Sequence, residues 1–133
     1  MKVYVFGNPD ISEDSEALTL ARQLKDDSKN IYFVFIKPNE DLPFADEENV
    51  IILDVIKGID EVRILTFDDI NSLTFSPRTT VHDFDLGFQL KYLKKLGKLK
   101  GVKIIGLPYG KEINYLTIQS ILRKLVAQDM HGS

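Results

Sequence analysis

The chain has 133 residues, 44% hydrophobic and 28% charged, with a net charge of −3 and no cysteine. That length suits one domain spanning residues 1–133, burying about two-thirds of its unfolded surface. The charge offers no basic excess to neutralise phosphates, arguing against nucleic acid, and without cysteine there is neither a disulfide framework nor a thiolate metal site. Any metal must therefore be held by carboxylate, imidazole or carbonyl oxygen.

The most basic stretch, Lys91 to Lys103, alternates with Leu and Gly and reads as a solvated helix face. No apolar run approaches the roughly 20 residues that span a bilayer. Met1-Lys2-Val3 leads straight into a strand and leaves no room for a signal peptide. A cytoplasmic protein is expected.

Val3 to Phe6 is an apolar run that stops at Gly7-Asn8-Pro9, which is turn chemistry. The acids Asp10, Glu13, Asp14 and Glu16 follow. Asp10 with Glu13 has the spacing of a capping box, and Ser12 is a second candidate cap. Ala17, Leu18, Ala21 and Leu24 then recur at helical period, predicting a helix to about Lys25. Ile31 to Ile36, continuously apolar and rich in β-branched and aromatic residues, predicts a second buried strand. Residues 37–48, with Pro38, Pro43 and five acids, predict a loop.

Val50 to Ile56 predicts a third strand, interrupted near its carboxyl end by Asp54. Val62 to Phe67 predicts a fourth, and the short link at Lys57-Gly58 predicts antiparallel pairing with the third. Asp68 to Arg78 reads as an irregular loop. A third helical segment carries Phe88, Leu90, Leu93 and Leu96 and ends at Gly97. Val102 to Leu107 is the last strand, broken at Pro108-Tyr109-Gly110. Ile113 to Ala127 predicts a closing helix with Ile118, Ile121, Leu122 and Leu125 inside, and a frayed tail from Gln128. The sum is an α/β fold, three layers α/β/α around a five-stranded, mostly parallel sheet containing one antiparallel strand.

Three residues look out of place for packing alone: Asp14 at the start of helix one, Asp54 ending an apolar strand, and His82 before a helix. All three are expected at the carboxyl edge of the sheet, where ligands of open α/β folds bind. Two carboxylates and one imidazole on a divalent first-row metal would form an open site. Each also has a simpler reading. Asp14 could stabilise the positive end of its helix, Asp54 could accept backbone hydrogen bonds from a neighbouring loop, and His82 could be a capping or core histidine. His131 lies in the tail and is read as inert. Tyr109 and Lys111 could line a pocket or belong to a solvated loop.

Gly7-Asn8 followed by Glu13-Asp14, Asp54 closing Ile51 to Asp54, and Val81-His82-Asp83 followed by Ile104-Ile105-Gly106 together resemble the hydrogenase maturation proteases. The resemblance spans nearly the whole chain in matching order. It implies an endopeptidase that removes the C-terminal extension of an immature nickel-iron hydrogenase large subunit after nickel insertion. It further implies that Asp14, Asp54 and His82 engage nickel carried by that substrate, with Gly7, Asn8, Glu13 and Asp83 in support, in a monomer that docks transiently. The chain departs from the family pattern after strand two. There Lys37-Pro38-Asn39 replaces a Gly-Gly-Thr-like turn and full helix, and Ser15-Glu16-Ala17 replaces the glycine that follows the acidic pair. Two rivals remain: a free-standing metal-dependent hydrolase holding zinc or manganese on the same three residues, and a non-catalytic α/β binding or chaperone module.

Overall fold

The computed structural model describes residues 1–6, 16–25, 31–36, 49–57, 59–66, 69, 74–75, 95–97, 101–111 and 113–131. Six strands and two helices lie among them: β1 (Lys2–Phe6), α1 (Glu16–Lys25), β2 (Tyr32–Ile36), β3 (Val50–Lys57), β4 (Arg63–Leu65), β5 (Thr74–Phe75), β6 (Val102–Pro108) and α2 (Tyr115–His131). The sheet runs in the order β2-β1-β3-β6-β4. β2, β1, β3 and β6 are mutually parallel, and β4 lies antiparallel to β6. The expected mixed sheet of five strands is therefore present, and the two-residue β5 joins it as a sixth beside β3.

The centre of the sheet is formed by its two longest strands. β3 and β6, of eight and seven residues, pair over seven residues, from Val50↔Val102 to Ile56↔Pro108. Alternation of side chains gives each strand two buried faces. On one face Val3, Val5, Leu53, Val55, Ile105 and Leu107 pack against both helices. On the other, Tyr4, Phe6, Ile52, Ile56 and Ile104 form a second cluster that is equally withdrawn from water. Burying one such aliphatic side chain contributes about 1.5–3 kcal/mol.

Helix α1 turns Ala17, Leu18, Leu20, Ala21 and Leu24 inward and leaves Thr19, Arg22 and Gln23 in solvent. This is the predicted stripe widened by Leu20. Helix α2 buries Ile118, Leu122 and Leu125, with Ile121 half-buried. Its start is fixed by Asn114, whose carbonyl accepts from Ile118 N while its Oδ1 accepts from Leu116 N at 2.9 Å. That is an N-cap. The helix continues to His131 rather than fraying from Gln128.

Three expectations are corrected. β4 is antiparallel to β3 in direction, but it does not pair with it. β6 lies between them, with Arg63↔Gly106 and Leu65↔Ile104 in register. A short link fixes strand direction, whereas adjacency went to β6, which matches β3 along nearly its whole length. β2 is an edge strand rather than a buried one, with Tyr32 69% exposed. The stretch from Asp68 to Arg78 contains β5, which pairs antiparallel with Ile56 and Lys57 of β3. β6 occupies the other flank of Ile56, so β5 takes the flank beyond the end of β1. Of the expected third helical segment, only residues 95–97 are described. Gly97 has φ +73°, the left-handed conformation suited to the predicted helix stop.

Candidate active site

Because β1, β2, β3 and β6 are parallel, Phe6, Ile36, Lys57 and Pro108 all end at one edge of the sheet. Asp54 sits near that edge, three residues before the end of β3. It is fully buried and is the one buried polar or charged side chain among the described residues. Its Oδ1 accepts a hydrogen bond from Val55 N at 2.9 Å. A buried carboxylate is costly unless it is partnered, and among the described residues no buried side-chain polar atom lacks a hydrogen-bond partner.

The surroundings of Asp54 follow from register. Ile52 and Ile56, two residues to either side, belong to the cluster on the face opposite the helices, and alternation puts Asp54 on that face too. Directly across the β3–β6 ladder is Gly106. A Cβ at Gly106 would lie 2.7 Å from Ile56 Cδ1, 3.2 Å from Ile59 Cδ1 and 3.3 Å from Leu65 Cδ1. The absent side chain is thus what lets those three apolar tips meet beside the carboxylate. Sequence reasoning missed this role, though a glycine inside an apolar strand is itself a sign of close approach.

Two connections rise over the same edge. The β3–β4 link carries Ile59, Asp60 and Glu61, and the β6–α2 link carries Tyr109, Gly110 and Lys111. Tyr109 N donates to Ile56 O at 3.3 Å, and Lys111 Nζ donates to Asp60 Oδ1 at 2.7 Å. The hydrogen bond and charge of Lys111 hold the Asp60 carboxyl below its usual value, and Arg63 adds to the effect. Tyr109 packs, half-buried, into the helix-side cluster. Of the two residues considered for a pocket, one is core and the other ties two loops together.

Asp14 and His82 lie outside the described residues, as do Gly7, Asn8, Glu13 and Asp83. The described chain leaves the carboxyl edge at Phe6 and resumes at Glu16, two positions after Asp14. His131 is the last residue of α2. Among the described residues, no three His, Asp or Glu side chains are grouped so as to hold a metal, and no helix is long and apolar enough to cross a membrane.

The fold itself is shared with solved maturation endopeptidases. The hydrogenase maturating endopeptidase HybD from Escherichia coli superposes with a TM-score of 0.60 at 15% identity, covering 99% of this chain and 91% of that one. The endopeptidase HycI from Escherichia coli superposes with a TM-score of 0.56 at 19% identity, covering 97% and 91%. No curated protein sequence matches the chain. The family model HycI, described as hydrogenase maturation protease, matches residues 33–131. The chain belongs to the hydrogenase maturation protease family. The matched region contains Asp54 and His82, and Asp14 precedes it.

Proposed function

We propose that this protein is an endopeptidase that removes the C-terminal extension of a nickel-iron hydrogenase large subunit after nickel has been inserted. The observation that carries the reading is the placement of Asp54, a wholly buried carboxylate at the carboxyl edge of the sheet, inside the region that matches the family. The partner is the immature large subunit, engaged transiently by a monomer. Nickel arrives seated in that partner and is part of the substrate. Asp54, with Asp14 and His82, supplies carboxylate and imidazole donors, a set that suits divalent first-row metals in a chain without thiolates. Nickel held beside the scissile bond would polarise its carbonyl.

The test is to incubate the protein with a nickel-loaded, unprocessed large subunit and follow loss of the C-terminal peptide by mass. Wild type is expected to release it, while Asp14→Ala, Asp54→Asn and His82→Ala do not. Processing by Asp54→Asn or His82→Ala at the wild-type rate would remove those residues from the site. Stoichiometric binding without cleavage, by wild type as well, would instead identify a binding module.

A further inference from the structure

One row of residues crosses the sheet at the level of Asp54. Asp54 is opposite Gly106 in the parallel β3–β6 ladder, and Gly106 is opposite Arg63 in the antiparallel β6–β4 ladder. Residues directly opposite one another point to the same face of a sheet, so Asp54 and Arg63 share a face with only the glycine between them. Leu65, two residues after Arg63, belongs to the cluster on that face, which agrees. Two strand spacings separate the pair, about 10 Å between backbones. The space over Gly106 is taken by the tips of Ile56, Ile59 and Leu65. Between the carboxylate and the guanidinium there is thus an apolar step.

Arg63 is exposed, and although its charge helps to lower the Asp60 carboxyl, it makes no direct ion pair with it. The nearby Asp60 is already bound by Lys111. A cation left open, on the face and row of the buried carboxylate, is placed to meet a charge brought by something that docks there. Arginine is also the side chain best shaped to bind a carboxylate with two parallel hydrogen bonds.

Building on the maturation-endopeptidase reading, we propose that Arg63 is a specificity-determining residue that binds an acidic side chain of the precursor. An extended peptide advances about 3.3 Å per residue, so a chain whose scissile bond lies over Asp54 reaches Arg63 about three residues away. The recognised acid therefore lies close to the bond that is cut. Arg63 takes no part in the chemistry; it sets which precursor segment is held over Asp54.

The test compares wild type with Arg63→Ala, Arg63→Lys and Arg63→Glu on the nickel-loaded precursor, following both cleavage and binding of the intact precursor by calorimetry. Loss of a charge-assisted hydrogen bond predicts a rise in KM of about 10- to 100-fold for Arg63→Ala. Its kcat should stay within about twofold of wild type. Arg63→Lys should recover part of the loss. Raising salt from about 0.05 to 0.5 M should weaken wild type and leave Arg63→Ala nearly unchanged. A precursor in which the recognised acid is replaced by lysine should be handled better by Arg63→Glu than by wild type. Equal KM and equal salt dependence in all four proteins overturn the proposal while leaving the maturation reading intact. If wild type binds the precursor and cleaves nothing, that reading fails and the binding constants alone decide the role of Arg63. Precursor affinity that is insensitive to Arg63→Ala and Arg63→Glu, or no binding by any of the four, overturns it.

Discussion

Asp54 and Gly106 face each other across the central parallel ladder, and the glycine leaves the space in which Ile56, Ile59 and Leu65 converge beside the carboxylate. Ile56 is itself fully buried, so it has no free volume into which to retreat from a new methyl group. Gly106→Ala is therefore expected to destabilise the fold by about 1–3 kcal/mol, the usual cost of overpacking. Ile56→Val removes the Cδ1 atom that approaches most closely. In a double-mutant cycle read by urea denaturation, the pair should be less destabilised than the sum of the two single variants. Strict additivity would show that the close approach is relieved elsewhere.

Asp54→Asn keeps the shape of the side chain and an oxygen for the Val55 N–H. The folded state should persist, as judged by an unchanged near-ultraviolet dichroism spectrum. Precursor processing should fall by more than about 100-fold, since even the partners that orient metal ligands cost 10- to 100-fold when lost. A variant that unfolds would assign Asp54 to structure, and one that folds and cleaves normally would free it from any role in the reaction.

Asn114 caps α2 through its Oδ1 bond to Leu116 N. Asn114→Ala should cost about 1 kcal/mol, and Asn114→Asp or Asn114→Ser should be close to neutral. Thermal denaturation of the three variants separates this from a surface residue without a role, for which all three would match wild type.

Lys111 pulls the Asp60 carboxyl below its usual value. A carboxylate whose folded value is depressed adds stability above its unfolded value and loses it as the pH falls through the folded one. Any contribution of the pair is thus present at neutral pH and disappears only in the acid range. Both side chains are substantially exposed, at 49% for Lys111 and 92% for Asp60, so the contribution to folding is small. In Lys111→Ala, the Asp60 carboxyl followed by NMR should titrate at higher pH than in wild type, with the neutral-pH melting temperature little changed. No movement of the Asp60 titration would show that the pair does not persist in solution.

The sheet was largely legible because its strands are dominated by apolar residues. Asp54 stood out as the one acid inside such a run. Adjacency was harder to read. The link after β3 is short enough to set the direction of β4, yet nothing local records that β6, some forty residues later, fits between the two. β2 shows a related limit, since Tyr32 and Phe35 are as suitable for a half-covered edge as for a core. The two residues of β5 are too few for any periodicity to show. Gly106 and Arg63 escaped notice because their relation to Asp54 exists only through register, across strands that are distant in sequence. Asp14, Asp54 and His82 were grouped as residues out of place for packing at one expected sheet edge, and then by resemblance; the placement of Asp14 and His82 lies beyond the described residues.

The interposed strand also bears on biosynthesis. A nascent chain that has emerged as far as Thr66 already contains β3 and β4, the two flanks of a slot, but not the strand that fills it. Until β6 and α2 emerge, one whole edge of β3 has no partner from β6, and two of the ten buried residues of one apolar cluster and five of the fourteen of the other are missing. Closing such a long-range pairing carries its entropic cost before any reward. Folding should therefore wait for the C-terminal quarter of the chain. A fragment of residues 1–100 should show no cooperative unfolding transition, and addition of residues 101–131 should restore one. Ribosome-bound chains would then carry β3, the strand of Asp54, with one edge open while the 51 residues after Lys57 and up to Pro108 are added (108 − 57), so that protection of β3 during synthesis should raise the yield of folded protein.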